Sequence, residues 1–127
     1  MTGAAQYLLA IYLLVRQNSE PVAPGAIAAK VGRSKAATTE MLQRLDSNGW
    51  IDYEPYQGAS LTPNGRAQGK ELYETYETLS RFFDEVLELE ASEQEAMELA
   101  GIISKTVATR LKATLLSDSP IGVNSET

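Results

Sequence analysis

Apolar residues near the start of the chain recur at helical spacing. Tyr7, Ile11, Leu14 and Val15 fall at positions i, i+4, i+7 and i+8, which places them on one face of an α-helix. The segment has neither a basic leader nor a small-residue cleavage site, so it lacks the pattern of a secretory signal. We therefore predict a folded amphipathic helix over residues 3–17.

Two further short helices are predicted between residues 24 and 48. Pro24 suits the first turn of one helix, and Gly32 suits its end. Ser34 is a natural N-cap for the next helix, because its hydroxyl can accept a hydrogen bond from a backbone N–H of the first turn. The inner stripe of that helix comprises Thr38, Met41, Leu42 and Leu45. Asn48-Gly49 then supplies a C-terminal stop signal.

The spacing of apolar residues changes after this stop signal. Residues 50–54 have the composition of a strand, and residues 55–58 (Pro-Tyr-Gln-Gly) have the composition of a turn. Residues 59–61 are predicted to return as a second strand. The sequence therefore predicts a β-hairpin directly after the third helix.

The remaining chain is predicted to be helical. Thr62-Pro63, an N-cap followed by proline at the first helical position, begins a long helix. The apolar face of this helix comprises Leu72, Tyr76, Leu79, Phe83 and Leu87. Ser92 and Glu95 match a capping box for a fifth helix, and Ser104 is placed to cap a sixth. Residues 117–127 show no periodicity, so we expect them to be disordered.

This order of elements predicts a mostly α fold of the α+β class. Two short helices joined at a glycine, with a hairpin after the second, are the outline of a winged helix-turn-helix with a two-stranded wing. We expect this domain to occupy residues 1–70 and a helical dimerisation segment to occupy residues 71–116. The disordered tail would then follow from residue 117.

Composition excludes several classes of protein. The 127 residues include no Cys and no His, which removes disulfides, thiolate metal sites and the commonest general base. With no phosphate-cradling glycine loop either, we expect no enzyme and no catalytic residue. The sequence has no run of about 18 apolar residues, so we expect no membrane partner. The lack of Cys is consistent with a reducing cytoplasm, where we place the protein.

The charge is divided unevenly along the chain, whose net charge is -6. Residues 1–70 hold seven Lys or Arg against five Asp or Glu, a balance of +2. Residues 71–127 hold four basic residues against twelve acidic ones, a balance of -8. Only the N-terminal half is therefore suited to face phosphates.

The helix-turn-helix outline identifies candidate DNA-binding residues. The second helix of such a pair presents its N-terminal residues to base edges in the major groove, while nearby cations contact phosphates. These candidates are Arg33, Ser34, Lys35, Ala36, Thr38, Thr39, Glu40 and Arg44, with Tyr56 and Gln57 at the wing tip. The expected partner is double-stranded operator DNA. The alternative is a winged-helix protein–protein module without DNA binding, which the acidic balance favours mildly.

Three stretches of the chain resemble the diphtheria-toxin-repressor-like family of iron- and manganese-dependent transcriptional regulators. They are YLLAIYLL, IAAKVGRSKAATTEMLQRLDSNGWIDYEPYQGASLTPNGR and LSRFFDEVLELEASEQEAMELAGIIS. The central stretch carries the family's alanine-rich helix, Ser-led recognition helix, Tyr-Glu-x-Tyr-x-Gly hairpin and Leu-Thr-x-x-Gly helix start. The similarity runs from Ala4 to about Leu116. It implies a repressor that binds palindromic operators as a homodimer.

The resemblance also indicates where a dimer interface and metal ligands would lie. The candidate interface residues are Tyr7, Leu8, Ile11, Leu79, Phe83, Leu99, Ile102 and Ile103. The family's metal-ligand positions fall near Gln6, Leu9, Tyr76, Ala100, Ile103 and Ser104. None of these is a carboxylate or imidazole, and a cation is not held without such ligands. We therefore expect no cofactor, although the family implies a divalent metal ion.

Three alternatives follow from the missing ligands. The protein is a dimer that binds DNA without an effector, or it senses a small organic ligand in place of the metal, or it holds a divalent ion elsewhere. The residues available for the third alternative are Asp84, Glu85, Glu88, Glu90, Glu93, Glu95 and Glu98. We interpret that cluster as a solvated acidic face.

Overall fold

The structure is a computed structural model, and it describes residues 3–116. The described part of the chain divides into two compact units, residues 3–73 and residues 74–116. The division falls between Tyr73 and Glu74, within one long helix. The residues predicted to form a disordered tail, 117–127, lie outside the described part of the chain.

The first unit combines three helices, a two-stranded hairpin and the first part of a fourth helix. The elements are α1 (Ala4–Gln17), α2 (Pro24–Val31), α3 (Lys35–Ser47), β1 (Ile51–Glu54), β2 (Gly58–Leu61) and α4 (Pro63–Arg81). The strands pair antiparallel as a hairpin that directly follows α3. This order confirms the mostly helical winged helix-turn-helix predicted from the sequence.

The core of the first unit is built around α1. This helix packs against α2, α3 and β2, and its residues 6–11 are all buried. Ile27 from α2 is fully enclosed, as is Leu42 from α3, and Leu45 is 1% exposed. Burying side chains of this size stabilises the fold by about 1.5–3 kcal/mol each.

The hairpin ends in a tight turn and is pinned to the segment before α2. Glu54 pairs with Gly58, which leaves three residues in the turn, and the Gln57 N–H donates to the Glu54 carbonyl at 3.0 Å. Val22 and Ala59 exchange two backbone hydrogen bonds, of 2.8 and 2.9 Å. Gly58 has φ 127°, and a Cβ there would run into the Val22 carbonyl. Only glycine therefore fits at the start of β2.

Helix α4 begins at a cap that also holds the end of the hairpin. The Thr62 Oγ1 accepts the Gly65 N–H at 3.0 Å, as the N-cap prediction required. The same hydroxyl donates to the Gly49 carbonyl oxygen at 2.7 Å, and it lies 3.0 Å from the Trp50 carbonyl oxygen. The backbone at Gly65 passes so close to the Trp50 carbonyl that a Cβ would collide with it.

The first part of α4 packs on α1 through aromatic residues. The rings of Tyr12 and Tyr73 lie 5.7 Å apart, and the Arg16 guanidinium lies 4.2 Å from the centre of the Tyr73 ring. Gly69 faces the Tyr12 ring, with no room for a Cβ unless that ring moves. These contacts hold the first part of α4 against α1.

The second unit comprises the end of α4, a π-helical turn at Phe82–Val86, α5 (Glu93–Ala100) and α6 (Lys105–Leu116). Its buried residues among those described are Thr78, Leu79, Ser92, Ala96, Met97 and Ala100. The Leu87 N–H donates to the carbonyl of Phe82, five residues back, which adds one residue to the turn. The predicted apolar face therefore breaks here, and Leu87 is 48% exposed. The prediction of one continuous face through Leu87 was wrong.

The two predicted caps in this unit have different outcomes. The Ser104 hydroxyl accepts the Val107 N–H at 3.2 Å, which confirms the cap of α6. Ser92 is the N-cap residue of α5, but its side chain accepts no capping hydrogen bond. Its ψ of 13° departs from the extended backbone that a capping box needs, so that prediction was wrong. Between residues 3 and 116, no helix is long and apolar enough to cross a membrane.

Candidate nucleic-acid interface

The start of α3 is fixed by two local features. Gly32 has a left-handed backbone, with φ 72° and ψ 38°, and turns the chain between α2 and α3. The Ser34 Oγ accepts the Ala37 N–H at 3.1 Å, and the Ser34 carbonyl accepts the Thr38 N–H at 3.0 Å. These hydrogen bonds set where the first turn of α3 begins and which of its side chains point outward.

Most of the predicted DNA-binding residues lie on the outside of the first unit. Thr39 is half-buried. The exposed candidates are Arg33, Ser34, Lys35, Ala36, Glu40, Arg44, Tyr56 and Gln57. The exposed end of α3 thus carries small side chains with cations beside them, which suits close approach to a duplex.

Thr38 is the exception among the α3 candidates. It is 1% exposed, and its Oγ1 lies 3.4 Å from the Tyr7 hydroxyl, inside the first unit. Its spacing from Leu42 and Leu45 puts it on the inner face of α3, the stripe visible in the sequence. The prediction that Thr38 contacts DNA was wrong, because that side chain belongs to the core.

Sequence reasoning missed part of the same outer face. Glu40, Gln43, Arg44, Ser47 and Asn48 line a shallow groove of about 300 Å³ along α3. Gln43 was not among the candidates, although it lies three residues from Glu40 on the same face. The i, i+3, i+4, i+7 spacing of this set was the available signal. Its amide adds a neutral donor and acceptor beside Arg44.

The wing is held against the rest of the first unit by an acidic side chain. The Glu20 Oε2 accepts the Leu61 N–H at 2.7 Å. The two carboxylate oxygens also accept from Arg66 Nη2 at 3.0 and 3.1 Å. Nothing in the local pattern of the sequence indicated this link, since 41 residues separate Glu20 from Leu61.

The wing tip presents Tyr56 to solvent. This residue has φ 73°, a left-handed backbone conformation that residues other than glycine, asparagine and aspartate rarely adopt. Gln57 follows it and is also exposed. The tip therefore offers a phenol and an amide, both neutral, at the end of a hairpin that directly follows α3.

Comparisons with known proteins identify the family. A sequence profile described as "Iron dependent repressor, N-terminal DNA binding domain" matches residues 1–59. A helix-turn-helix transcriptional regulator of Methanocaldococcus jannaschii is 32% identical over 108 residues, which cover 84% of this chain and 86% of that protein. The chain belongs to the diphtheria-toxin-repressor-like family of metal-dependent transcriptional regulators.

Other members of the family match over part of their own length. The regulator MntR of Lysinibacillus sphaericus is 38% identical over 72 residues, or 57% of this chain and 51% of MntR. The crystal structure of the metal-dependent regulator MtsR superposes with a TM-score of 0.73 at 28% identity, covering 89% of this chain and 53% of MtsR. The manganese regulator SloR shares the fold, with a TM-score of 0.75 at 24% identity, over 91% of this chain and 55% of SloR. The chain thus spans about half the length of these three proteins.

The positions at which the resemblance places the family's metal ligands carry neither a carboxylate nor an imidazole. In the first unit, Gln6 is 3% exposed, and its Nε2 has no hydrogen-bond partner among the described residues. Leu9 is completely buried. An amide and an alkyl group supply no anionic ligand, so these positions do not fit a divalent cation.

The corresponding positions of the second unit fit no better. Burial raises the pKa of the Tyr76 phenol, with Glu93 adding to the effect and a hydrogen bond to Ser80 opposing it. The phenol therefore stays neutral near pH 7. Ala100 and Ile103 carry alkyl groups, and the Ser104 hydroxyl is engaged as the cap of α6. The seven acidic residues from Asp84 to Glu98 are all exposed, and residues 3–116 contain no group of three or more possible ligands placed to hold an ion.

The candidate dimer-interface residues fall into two groups in this family member. Tyr7, Leu8, Ile11 and Leu79 are between 0% and 3% exposed. Their inclusion was wrong, because their apolar area is already buried within the chain. Ile102 is 78% and Leu99 36% exposed, while Phe83 and Ile103 are half-buried. These four remain available to a partner.

Proposed function

We propose that this protein is a sequence-specific regulator of transcription, a repressor that binds double-stranded operator DNA as a homodimer. The observation that carries the proposal is the outer face of α3, whose first turn is capped, exposed and flanked by cations, with a wing directly after it. Family membership supports the same function. The proposal includes a cytoplasmic location, where operator DNA is accessible.

The proposed contacts separate by chemistry. Lys35 and Arg44 contact phosphates, which supplies affinity that depends on salt. The first turn of α3, with Ser34 and Ala36, lies against base edges in the major groove and discriminates between sequences. Glu40 accepts a hydrogen bond from a cytosine amino group. In a two-fold dimer, the two recognition helices would stand about 34 Å apart, one turn of the duplex.

A homodimer is supported by apolar side chains exposed on the second unit. Leu87, Leu89, Leu99, Ile102 and Val107 are each at least 36% exposed. Exposed apolar side chains of this size are a common feature of surfaces that contact another protein. We propose that a second copy of the chain covers Leu99 and Ile102, together with the half-buried Phe83 and Ile103.

The dimer proposal is tested by replacing the most exposed of these residues. Ile102→Asp should weaken self-association by about tenfold or more in sedimentation equilibrium, since each copy loses the burial of one large apolar side chain. Ala113→Asp, at an exposed position of α6, adds the same charge as a control and should leave association unchanged. A monomeric wild-type chain, or equal effects of the two variants, would contradict the proposed interface.

We further propose that DNA binding does not require the metal ion of the family. The support is the chemistry at the ligand positions: an amide, three alkyl groups and a capping hydroxyl supply no anionic ligand, and the phenol of Tyr76 stays protonated at neutral pH. Operator affinity should therefore be the same in a strong chelator as in added Mn²⁺ or Fe²⁺. A requirement for either ion would refute this part of the proposal.

The central experiment is selection of bound sequences from a random duplex pool, followed by affinity measurements on the selected operator. Lys35→Glu with Arg44→Glu should lower affinity by at least about tenfold, because two phosphate contacts become repulsive. The matched control is Lys105→Glu with Arg110→Glu, the same charge change on exposed α6. Failure to select any sequence, or equal losses in both double variants, would instead favour the protein–protein module.

A further inference from the structure

The wing tip carries an unusual residue for its backbone conformation. Tyr56 has φ 73° in the three-residue turn between β1 and β2. A residue with a Cβ lowers the stability of the folded chain when its backbone is in this left-handed region, whereas glycine does not. A strained residue of this kind persists where the surroundings or the function require its side chain.

Contacts within the chain do not account for this side chain. Tyr56 is 104% exposed, so its ring is as accessible as in an isolated peptide. The ring therefore returns no burial energy to the fold. The other large exposed apolar residues, such as Ile102, lie on the second unit and have ordinary backbone conformations.

The charge of the wing decides what kind of contact the tip is able to make. Residues 50–61 contain Asp52 and Glu54 but no Lys or Arg, and both carboxylates are exposed. A hairpin with a charge of -2 is repelled by phosphates, so it gains nothing from counterion release. Any favourable contact between this wing and a duplex must come from neutral groups at its tip.

We infer that Tyr56 is a neutral anchor of the wing on DNA, which makes a contact whose strength does not depend on salt. The inference rests on the proposed function. The phenol ring packs against the sugars and base edges of the minor groove next to the major groove that receives α3, and its hydroxyl donates to a phosphate oxygen. Helix α3 then supplies the salt-dependent part of the affinity, and the wing supplies a part that remains at high salt.

The test compares variants of the full chain on the selected operator, from low to high salt. Tyr56→Gly should weaken binding by about fivefold or more per wing, the order expected when one aromatic–nucleotide contact is removed. This factor should be constant across salt concentrations, so the slope of log affinity against log salt should not change. The same variant should raise the midpoint of thermal unfolding, because glycine relieves the positive φ.

Two control variants should change the dependence of binding on salt, which Tyr56→Gly should leave unchanged. Arg44→Gln should make the salt slope shallower by about 0.9 for the phosphate that it no longer neutralises, and its effect should fade at high salt. Glu54→Gln should strengthen binding at low salt alone, because it removes repulsion next to Tyr56. Neither control changes the wing-tip residue itself.

The outcomes separate this inference from the proposed function. If the wild-type chain binds operator and Tyr56→Gly binds equally well at every salt concentration, the anchor is refuted while the regulator stands. An effect of Tyr56→Gly that vanishes at high salt also refutes it, because the contact would then be ionic. If Tyr56→Gly unfolds at a lower temperature than the wild type, the argument that Tyr56 is strained is overturned. If no chain binds DNA, the proposed function fails and any role of Tyr56 in contacting a protein partner becomes the alternative.

Discussion

The link between Glu20 and the wing yields a prediction in which two effects of different size compete. Glu20 accepts one hydrogen bond from the Leu61 backbone and forms an ion pair with Arg66. Glu20→Ala removes both interactions, whereas Arg66→Ala removes the ion pair alone. Comparison of the two variants therefore shows which interaction holds β2 in place.

The structure indicates that the backbone hydrogen bond is the larger effect. The Glu20 oxygen lies 2.7 Å from the Leu61 nitrogen, and Leu61 is 7% exposed, so removing the acceptor leaves a poorly solvated N–H. A hydrogen bond to a charged group contributes about 1.5–3 kcal/mol. The Arg66 side chain is 51% exposed, and an exposed ion pair of this kind contributes at most about 1 kcal/mol.

We expect Glu20→Ala to lower the free energy of unfolding by about 2–3 kcal/mol and Arg66→Ala by less than about 1 kcal/mol. Glu20→Gln, which keeps a neutral acceptor for the Leu61 N–H, should fall between them. Urea unfolding followed by the fluorescence of Trp50, the only tryptophan, reports on the first unit. Added salt should reduce the effect of Arg66→Ala and leave most of that of Glu20→Ala.

Equal losses of stability in the two single variants would refute this reasoning, because the ion pair would then account for the whole effect. The reasoning would also be refuted if the loss of unfolding free energy in Glu20→Ala disappeared at high salt. The double variant completes the cycle, and its coupling energy should not exceed about 1 kcal/mol, the size of the exposed pair alone.

Three further predictions test other parts of the structure. Gly65→Ala should lower the unfolding midpoint, because a Cβ would collide with the Trp50 carbonyl, whereas Gly25→Ala, with open space around it in α2, should raise stability by about 0.5–1 kcal/mol; thermal unfolding compares them. Ser34→Ala should cost about 1 kcal/mol in urea unfolding by removing the cap of α3, and no cost would contradict the capping geometry. Burial holds the pKa of Tyr76 above its ordinary value of 10.0 in the folded chain, so the stability this contributes is complete below pH 10 and is lost as the pH rises through the folded pKa. Unfolding of the wild type should therefore become easier above pH 10 than unfolding of Tyr76→Phe, and parallel profiles would count against the shift.

The sequence predicted elements whose boundaries depend on neighbouring residues. Ser34, Thr62 and Ser104 each cap a helix as expected, because a cap joins a side chain to a backbone N–H three residues away. The hairpin after α3 was predicted for the same reason, since its turn is closed within residues 54–58. Prediction failed at Ser92, where the backbone conformation of the residue itself prevents a cap that the residue types allow.

The candidate interface could be predicted in part. Lys35 and Ala36 were recognised from their place at the start of the second helix of the pair, and their exposure follows from the helical period. Thr38 was misassigned because a hydroxyl suits both DNA and a buried hydrogen bond, and packing of α3 on α1 decides between them. Gln43 was missed because a neutral residue in the middle of a helix does not indicate DNA binding until the structure shows which residues form the outer face of α3.

By itself, the sequence determined the order of helices and strands, the turn and cap positions, and the side chains offered on each helical face, because these depend on interactions between residues a few positions apart. The tertiary structure alone decided that Glu20 reaches Leu61, that Gly65 passes against Trp50, and that Tyr7 and Ile11 lie in the chain's own core and not on a dimer surface. Such outcomes depend on which apolar faces meet across long separations, and many pairings of faces are compatible with the same local pattern.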